Sequence, residues 1–133
     1  MMQGIYQTNP YFCPMIKAYL LTTGTDGHSH VQTGHLAEGV LTNATNVSFK
    51  ETAPNTFFDW HPAPTTQYVV CLTGTLDFET HTGETFTLNP GEVLIAMDTT
   101  GSGHKWQMQG NAPWRRAYVV FDPEQDINFI ATV

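Results

Sequence analysis

Apolar and polar residues alternate in short runs along most of this chain, and each run is closed by Gly, Pro or Asn. A period of two marks strands with one buried face, and no long helical pattern interrupts it. Ala18–Thr22 is a short strand ending at the turn signal Gly24-Thr25-Asp26-Gly27, with His28–Leu36 as its hairpin partner. Val40–Thr45 carries no clear pattern. Val47, Phe49 and Glu51 then alternate with Ser48, Lys50 and Thr52, which places Val47 and Phe49 in the core. In Thr56–His61 the alternation sets Phe57, Asp59 and His61 on one face, with Phe58 and Trp60 on the other. Pro62 and Pro64 remove two backbone donors and keep residues 62–65 out of any central strand.

Gln67–Thr73 is the most apolar strand, rich in β-branched residues, and Gly74 closes it. Thr75–Thr80 sets Leu76 and Phe78 against Asp77 and Glu79, and turns through His81-Thr82-Gly83-Glu84 into Thr85–Leu88. Val93–Ala96, His104–Met108 and Trp114–Phe121 complete the series, separated by the loop Asp98–Gly103 and the turn Gly110–Pro113. About eight to ten short strands with such turns predict an all-β sandwich or barrel. A barrel of this size either fills its interior with side chains or holds one small ligand.

At 133 residues the chain makes one domain: residues 1–17 as an N-terminal arm, 18–121 as the barrel, and 122–133 as a tail, either a last helical turn or an extended strap. The net charge of -7 and the lone basic pair Arg115-Arg116 exclude a nucleic-acid footprint. Only 13% of residues are charged, while Thr and Asn are abundant, which suits β-structure with short polar turns. Cys13 and Cys71 are too few for a disulfide framework, so a reduced, cytoplasmic protein is expected. The N-terminus lacks the pattern of a signal peptide, and no apolar run approaches the ~20 residues of a membrane span.

The chemistry concentrates in two places. Asp59–Gly74 holds His61 between Trp60 and Pro62 and opens its apolar run with Gln67, and His104 follows a Gly-rich loop. If the two segments fold side by side, His61, Gln67 and His104 line one pocket. In a motif of this kind His61, Ala63, Gln67 and Gly74 stand where the cupin family carries His, His, Glu and Gly, and Gly83, Pro90, Gly91 and His104 match its second motif. Over roughly residues 45–121 the chain resembles a small single-domain bacterial cupin.

That resemblance implies a double-stranded β-helix, or jelly-roll barrel, and a homodimer. It also implies a divalent metal (zinc, iron, nickel or manganese), for which only His61, Gln67 and His104 remain as ligands. Ala63 offers no donor, and the Gln67 amide is a poorer ligand than a carboxylate. Whether a metal is held stays open at this level.

His61 and His104 are the catalytic candidates, because neutral imidazoles suit proton transfer near neutral pH. Gln67, Asp59, Trp106 and Tyr118 are candidate substrate contacts. Glu51 joins them if it points into the pocket, and otherwise pairs with a basic group. Asp98 reads as a cap for the loop backbone. His28, His30, His35 and His81 read as rim or exposed positions, and Phe57, Phe78 and Met108 as core. The expected activity is acid–base chemistry on a small molecule, of the isomerase, dehydratase or lyase kind, with or without metal assistance. An iron-dependent dioxygenase and a non-catalytic small-molecule binder are the alternatives.

Overall fold

The computed structural model describes residues 15–133, and their regular elements are all strands. In chain order these are β1 (Ile16–Thr23), β2 (Ser29–Leu36), β3 (Ala44–Thr52), β4 (Phe57–His61), β5 (Gln67–Thr73), β6 (Thr75–Thr80), β7 (Thr85–Leu88), β8 (Val93–Met97), β9 (His104–Gln109), β10 (Trp114–Phe121) and β11 (Phe129–Ala131). One sheet has the order β11-β2-β1-β8-β5-β10-β3, the other β4-β9-β6-β7. Between β3 and β10 the chain passes back and forth so that β3, β10, β5 and β8 face β4, β9, β6 and β7. That pattern is a jelly roll. The expected arm at 1–17 lies largely outside the described residues, as does Cys13, and β1 already begins at Ile16. Among the described residues no helix is long and apolar enough to cross a membrane.

The core lies between the sheets. Leu21, Val69, Cys71, Leu76, Phe78, Leu88 and Trp114 are buried there, and the Phe86 ring stacks on Tyr19 and Phe78, each at 4.7 Å. Each large side chain so buried contributes about 1.5–3 kcal/mol. A second cluster of Ala18, Leu20, Tyr68, Val93, Ile95 and Phe121 packs on the outer face of the larger sheet. Ile127 and Phe129 of the tail lie against it, so the tail is an extended strap, with β11 pairing to β2. Strands β1, β5 and β8 are therefore covered on both faces, which is why their sequences are runs of apolar residues rather than alternations.

Two expectations fail, and both failures shape the interior. Val47 and Phe49 are not core: they are 54% and 75% exposed on the outer face of edge strand β3. The inward positions of β3 belong to Ser48 and Lys50, because the interior at this end of the sandwich is a cavity rather than packed core. Glu51 consequently points outward and pairs with Arg115 across the ladder. Exposed ion pairs contribute little, so Glu51→Gln should change stability by no more than about 0.5 kcal/mol in chemical denaturation. A loss several times larger would mean that Glu51 is buried.

The second failure is Phe57, which is 71% exposed. Phe58 pairs with Trp106 and His61 with His104, so β4 spends one residue more than β9 over the same interval. This bulge breaks the alternation and turns Phe58 and His61 to the same side, their rings 4.1 Å apart.

His30 ties the two sheets together at one end. Its ring bonds to Glu84 through Nδ1 (2.6 Å) and to Asp26 through Nε2 (2.8 Å), while the Val31 amide donates to the other Glu84 oxygen (2.9 Å). The bonds to Glu84 and then Asp26 raise the His30 pKa above its ordinary value. Desolvation pulls Glu84 upward, but the Val31 amide, the Thr82 hydroxyl and His30 hold it below the usual range. The His28 amide, then His30, lower Asp26. A raised histidine pKa gives stability that is complete below the unfolded value of about 6.5 and is lost as pH rises through the folded value. The depressed carboxylates act oppositely, losing their contribution as pH falls through their folded values. The clamp should therefore stabilise most between about pH 5 and 6.5. Thermal melts of His30→Gln should show a smaller fall in Tm above pH 6.5 than the parent, and parallel curves would refute the clamp.

Candidate active site

A cavity of about 530 Å³ opens between the sheets where β4, β5, β9, β10 and β3 converge. His61 enters from the end of β4 and His104 from the start of β9, paired across the ladder with ring centroids 4.6 Å apart. The loop before His104 makes this approach possible only through Gly103. Its φ is +75°, and a Cβ there would fall 2.2 Å from the carbonyl carbon and oxygen of His61. An L side chain rarely adopts that φ, and the space is taken by backbone.

His104 is 4% exposed and held from behind by Asp98, which is fully buried. The His104 Nδ1–H donates to Asp98 Oδ2 at 2.6 Å, and the Ser29 hydroxyl donates to the same oxygen at 2.6 Å. The Asp98 backbone carbonyl accepts from Ala63 at 2.9 Å, while Oδ1 has no partner among the described residues. A carboxylate can only accept, so the shared bond fixes the proton on Nδ1 and leaves the His104 Nε2 lone pair for the cavity. Asp98 is thus the orienting group of His104 rather than a cap for its loop.

His61 is set in the same way by a weaker partner. Its Nδ1–H donates to the backbone carbonyl of Asp59 at 2.6 Å. Burial lowers its pKa, with the neighbouring His104 pushing the same way, against the opposing effect of the Asp59 carbonyl. His61 is therefore neutral at pH 7, with Nε2 bare.

Among the residues expected at the site, His61, Gln67, His104, Trp106 and Tyr118 meet in this cavity. Gln67 is buried at the start of β5, and Ala63, also buried, leaves room beside His61. Two expected residues do not join them. Glu51 is paired with Arg115 outside. Asp59 is turned away by the bulge; its carboxylate accepts from the Trp60 amide, and it lines a separate groove along the smaller sheet. That groove, about 610 Å³, holds neither imidazole. Trp60 packs outside as well, stacked on His81 at 3.6 Å.

Four residues of the site were not anticipated: Asp98, Ser29, Arg116 and Lys50. Trp114, Arg116 and Tyr118 recur at every second position, so a strand reading could have placed Arg116 on an aromatic inward face. No local pattern marks Asp98 and Ser29, which meet 69 residues apart.

As a metal site the arrangement does not fit. It offers two imidazole nitrogens and one neutral amide oxygen, no carboxylate lines the cavity among the described residues, and Arg116 and Lys50 do. A dication there would be uncompensated and face two like charges. No group of three or more His, Cys, Asp or Glu suited to an ion occurs among the described residues.

No family model matches the chain, and no curated protein matches it. Among solved structures, one described as an ethanolamine utilization protein Q from Salmonella typhimurium is similar at a TM-score of 0.45 and 17% identity, over 82% of this chain and 98% of that one. A likeness this distant carries no functional argument.

Proposed function

We propose that the chain is an enzyme performing acid–base chemistry on a small molecule in this cavity, of the isomerase, dehydratase or lyase kind. The observation that carries the reading is the buried Asp98–His104 pair facing His61. In such a reaction His104 Nε2 removes a proton from carbon. The electron pair moves onto an adjacent carbonyl or expels a β-leaving group. The imidazolium, stabilised by Asp98, then returns the proton to a neighbouring carbon or to the departing oxygen. Neutral His61 accepts a hydrogen bond from a substrate hydroxyl and orients it, while the indole and phenyl walls exclude water.

A simple binder needs the cavity but gains nothing from a carboxylate buried behind an imidazole, which favours the catalytic reading. Oxygen chemistry at iron needs a richer ligand set than these residues supply. Incubating small hydroxy and oxo compounds with the protein in D₂O and following them by NMR tests the proposal, through catalysed exchange or elimination. His61→Ala and His104→Ala should each lower turnover at least about a hundredfold while leaving the far-UV CD spectrum unchanged. Full activity in both would sink the assignment. Elemental analysis of protein purified without added metal should find no stoichiometric transition metal; a full equivalent would favour metal-assisted chemistry instead. We also propose a homodimer, since Val47, Phe49 and Leu72 are exposed on the larger sheet, two of them on its edge strand. A monomer in sedimentation would refute that.

A further inference from the structure

The five basic side chains of this acidic protein are not spread evenly. Lys105 pairs with Glu79, Arg115 pairs with Glu51, and Lys17 lies over the Tyr19 ring. The remaining two, Lys50 and Arg116, are register partners on β3 and β10, and both face the cavity. Neither has a carboxylate partner among the described residues, and residues 1–14 contain no Asp or Glu.

Arg116 is the more telling of the two. It is 3% exposed, yet only neutral groups hold it. Nε donates to the Tyr118 hydroxyl at 2.9 Å, and Nη1 donates to Thr52 Oγ1 at 2.6 Å and to the Trp114 carbonyl at 3.1 Å. The guanidinium stacks on the Trp114 ring at 3.6 Å. These contacts engage Nε, Nη1 and one face, and Nη2 keeps no partner among the described residues. A buried arginine is ordinarily matched by an anion, because an uncompensated charge in the interior is costly. A built, rigid cation with no carboxylate partner among the described residues, in a cavity with aromatic walls, suits an anion.

We infer that this cavity takes its ligand as an organic anion: a small carboxylic acid whose carboxylate docks on Arg116 and Lys50 while its apolar or unsaturated body lies along Trp106, Trp114 and Phe58. The inference rests on reading the cavity as the reaction site and supplies its substrate class. Arg116 offers planar donors suited to a carboxylate, and Lys50 adds a mobile charge at the rim. The acid is thereby fixed at one end, leaving its other end for His61 and His104. The same two cations that disfavour a metal dication favour this anion.

The test is titration of the full chain, by tryptophan fluorescence and calorimetry, with acetate, pyruvate, benzoate and cinnamate, each beside its primary amide. At least one acid should bind tenfold or more tightly than its amide. Arg116→Gln should weaken that acid about ten- to a hundredfold and leave the amide unchanged. Should Arg116→Gln fail to fold, Lys50→Glu on the exposed edge strand carries the same test, with selective loss of the acid. Acids binding no better than amides, no acid binding at millimolar concentration, or unchanged acid affinity in the folded charge variants would each overturn the inference. His61→Ala and His104→Ala separate it from the catalytic reading: both should still bind the acid. Acid binding without turnover in the parent would sink only the catalysis, and turnover confined to neutral compounds would sink only the anion.

Discussion

Asp98→Asn should lower turnover on the order of a thousandfold while the barrel still folds. In the parent, one carboxylate oxygen accepts from both His104 Nδ1–H and the Ser29 hydroxyl in a site closed to water. A carboxamide of the same shape has one acceptor and two donors. If its NH₂ turns toward His104, the imidazole proton must move to Nε2, and the lone pair facing the cavity is lost. If its oxygen turns toward His104, the tautomer survives, but the developing imidazolium loses its countercharge. The first outcome removes the base and the second weakens it. Nitrogen chemical shifts of the His104 ring read this directly, with a protonated Nδ1 and bare Nε2 expected in the parent and a displaced pattern in the variant. Unchanged shifts together with unchanged turnover would show that Asp98 is merely structural. Asp98→Ala goes further, because it strands two buried donors; it should destabilise the fold by about 3–5 kcal/mol.

Gly103→Ala should be the most damaging single methyl in the molecule's site region. The new Cβ meets backbone rather than the end of a flexible side chain, 2.2 Å from the His61 carbonyl, and its φ of +75° adds strain of its own. Left-handed backbone costs about 1–2 kcal/mol and overpacking about 1–3 kcal/mol, so a loss of about 2–5 kcal/mol follows. For a domain of this size that lowers Tm by roughly 7–18 °C. Gly83→Ala is the internal control, with a similar φ of +86° and nothing within 4 Å of the added methyl. It should cost only the strain. If the two variants melt together, the loop does not press on His61. If they separate as expected, turnover should fall in Gly103→Ala as well, because the loop can relieve the overlap only by moving His61 away from His104.

These two residues show where reading the chain ends. Strands β5, β6, β7 and β10 appear in the structure with the expected limits, because their turns use Gly, Pro and Asn at positions where the backbone must reverse. The convergence of His61, Gln67 and His104 was also legible, since two motif segments fell on separate strands with the right flanking turns. What misled was the equation of apolar with buried. Phe49 and Phe57 are aromatic and exposed, while Arg116 and Asp98 are ionisable and enclosed.

The sequence by itself determined that this chain is an all-β sandwich and where most of its turns fall, because alternation and turn residues act over a few neighbouring positions. The tertiary structure alone decided which face of each strand looks inward. A single bulge in β4 re-aimed Phe58, Asp59 and His61, and the position of β3 at a sheet edge inverted its apolar face. It also decided the partners. Asp98 meets Ser29 across 69 residues, and Arg116 meets Thr52 across 64. Such pairs are set by which distant strands lie side by side in the larger sheet, a property of the whole topology that no local window of the chain contains.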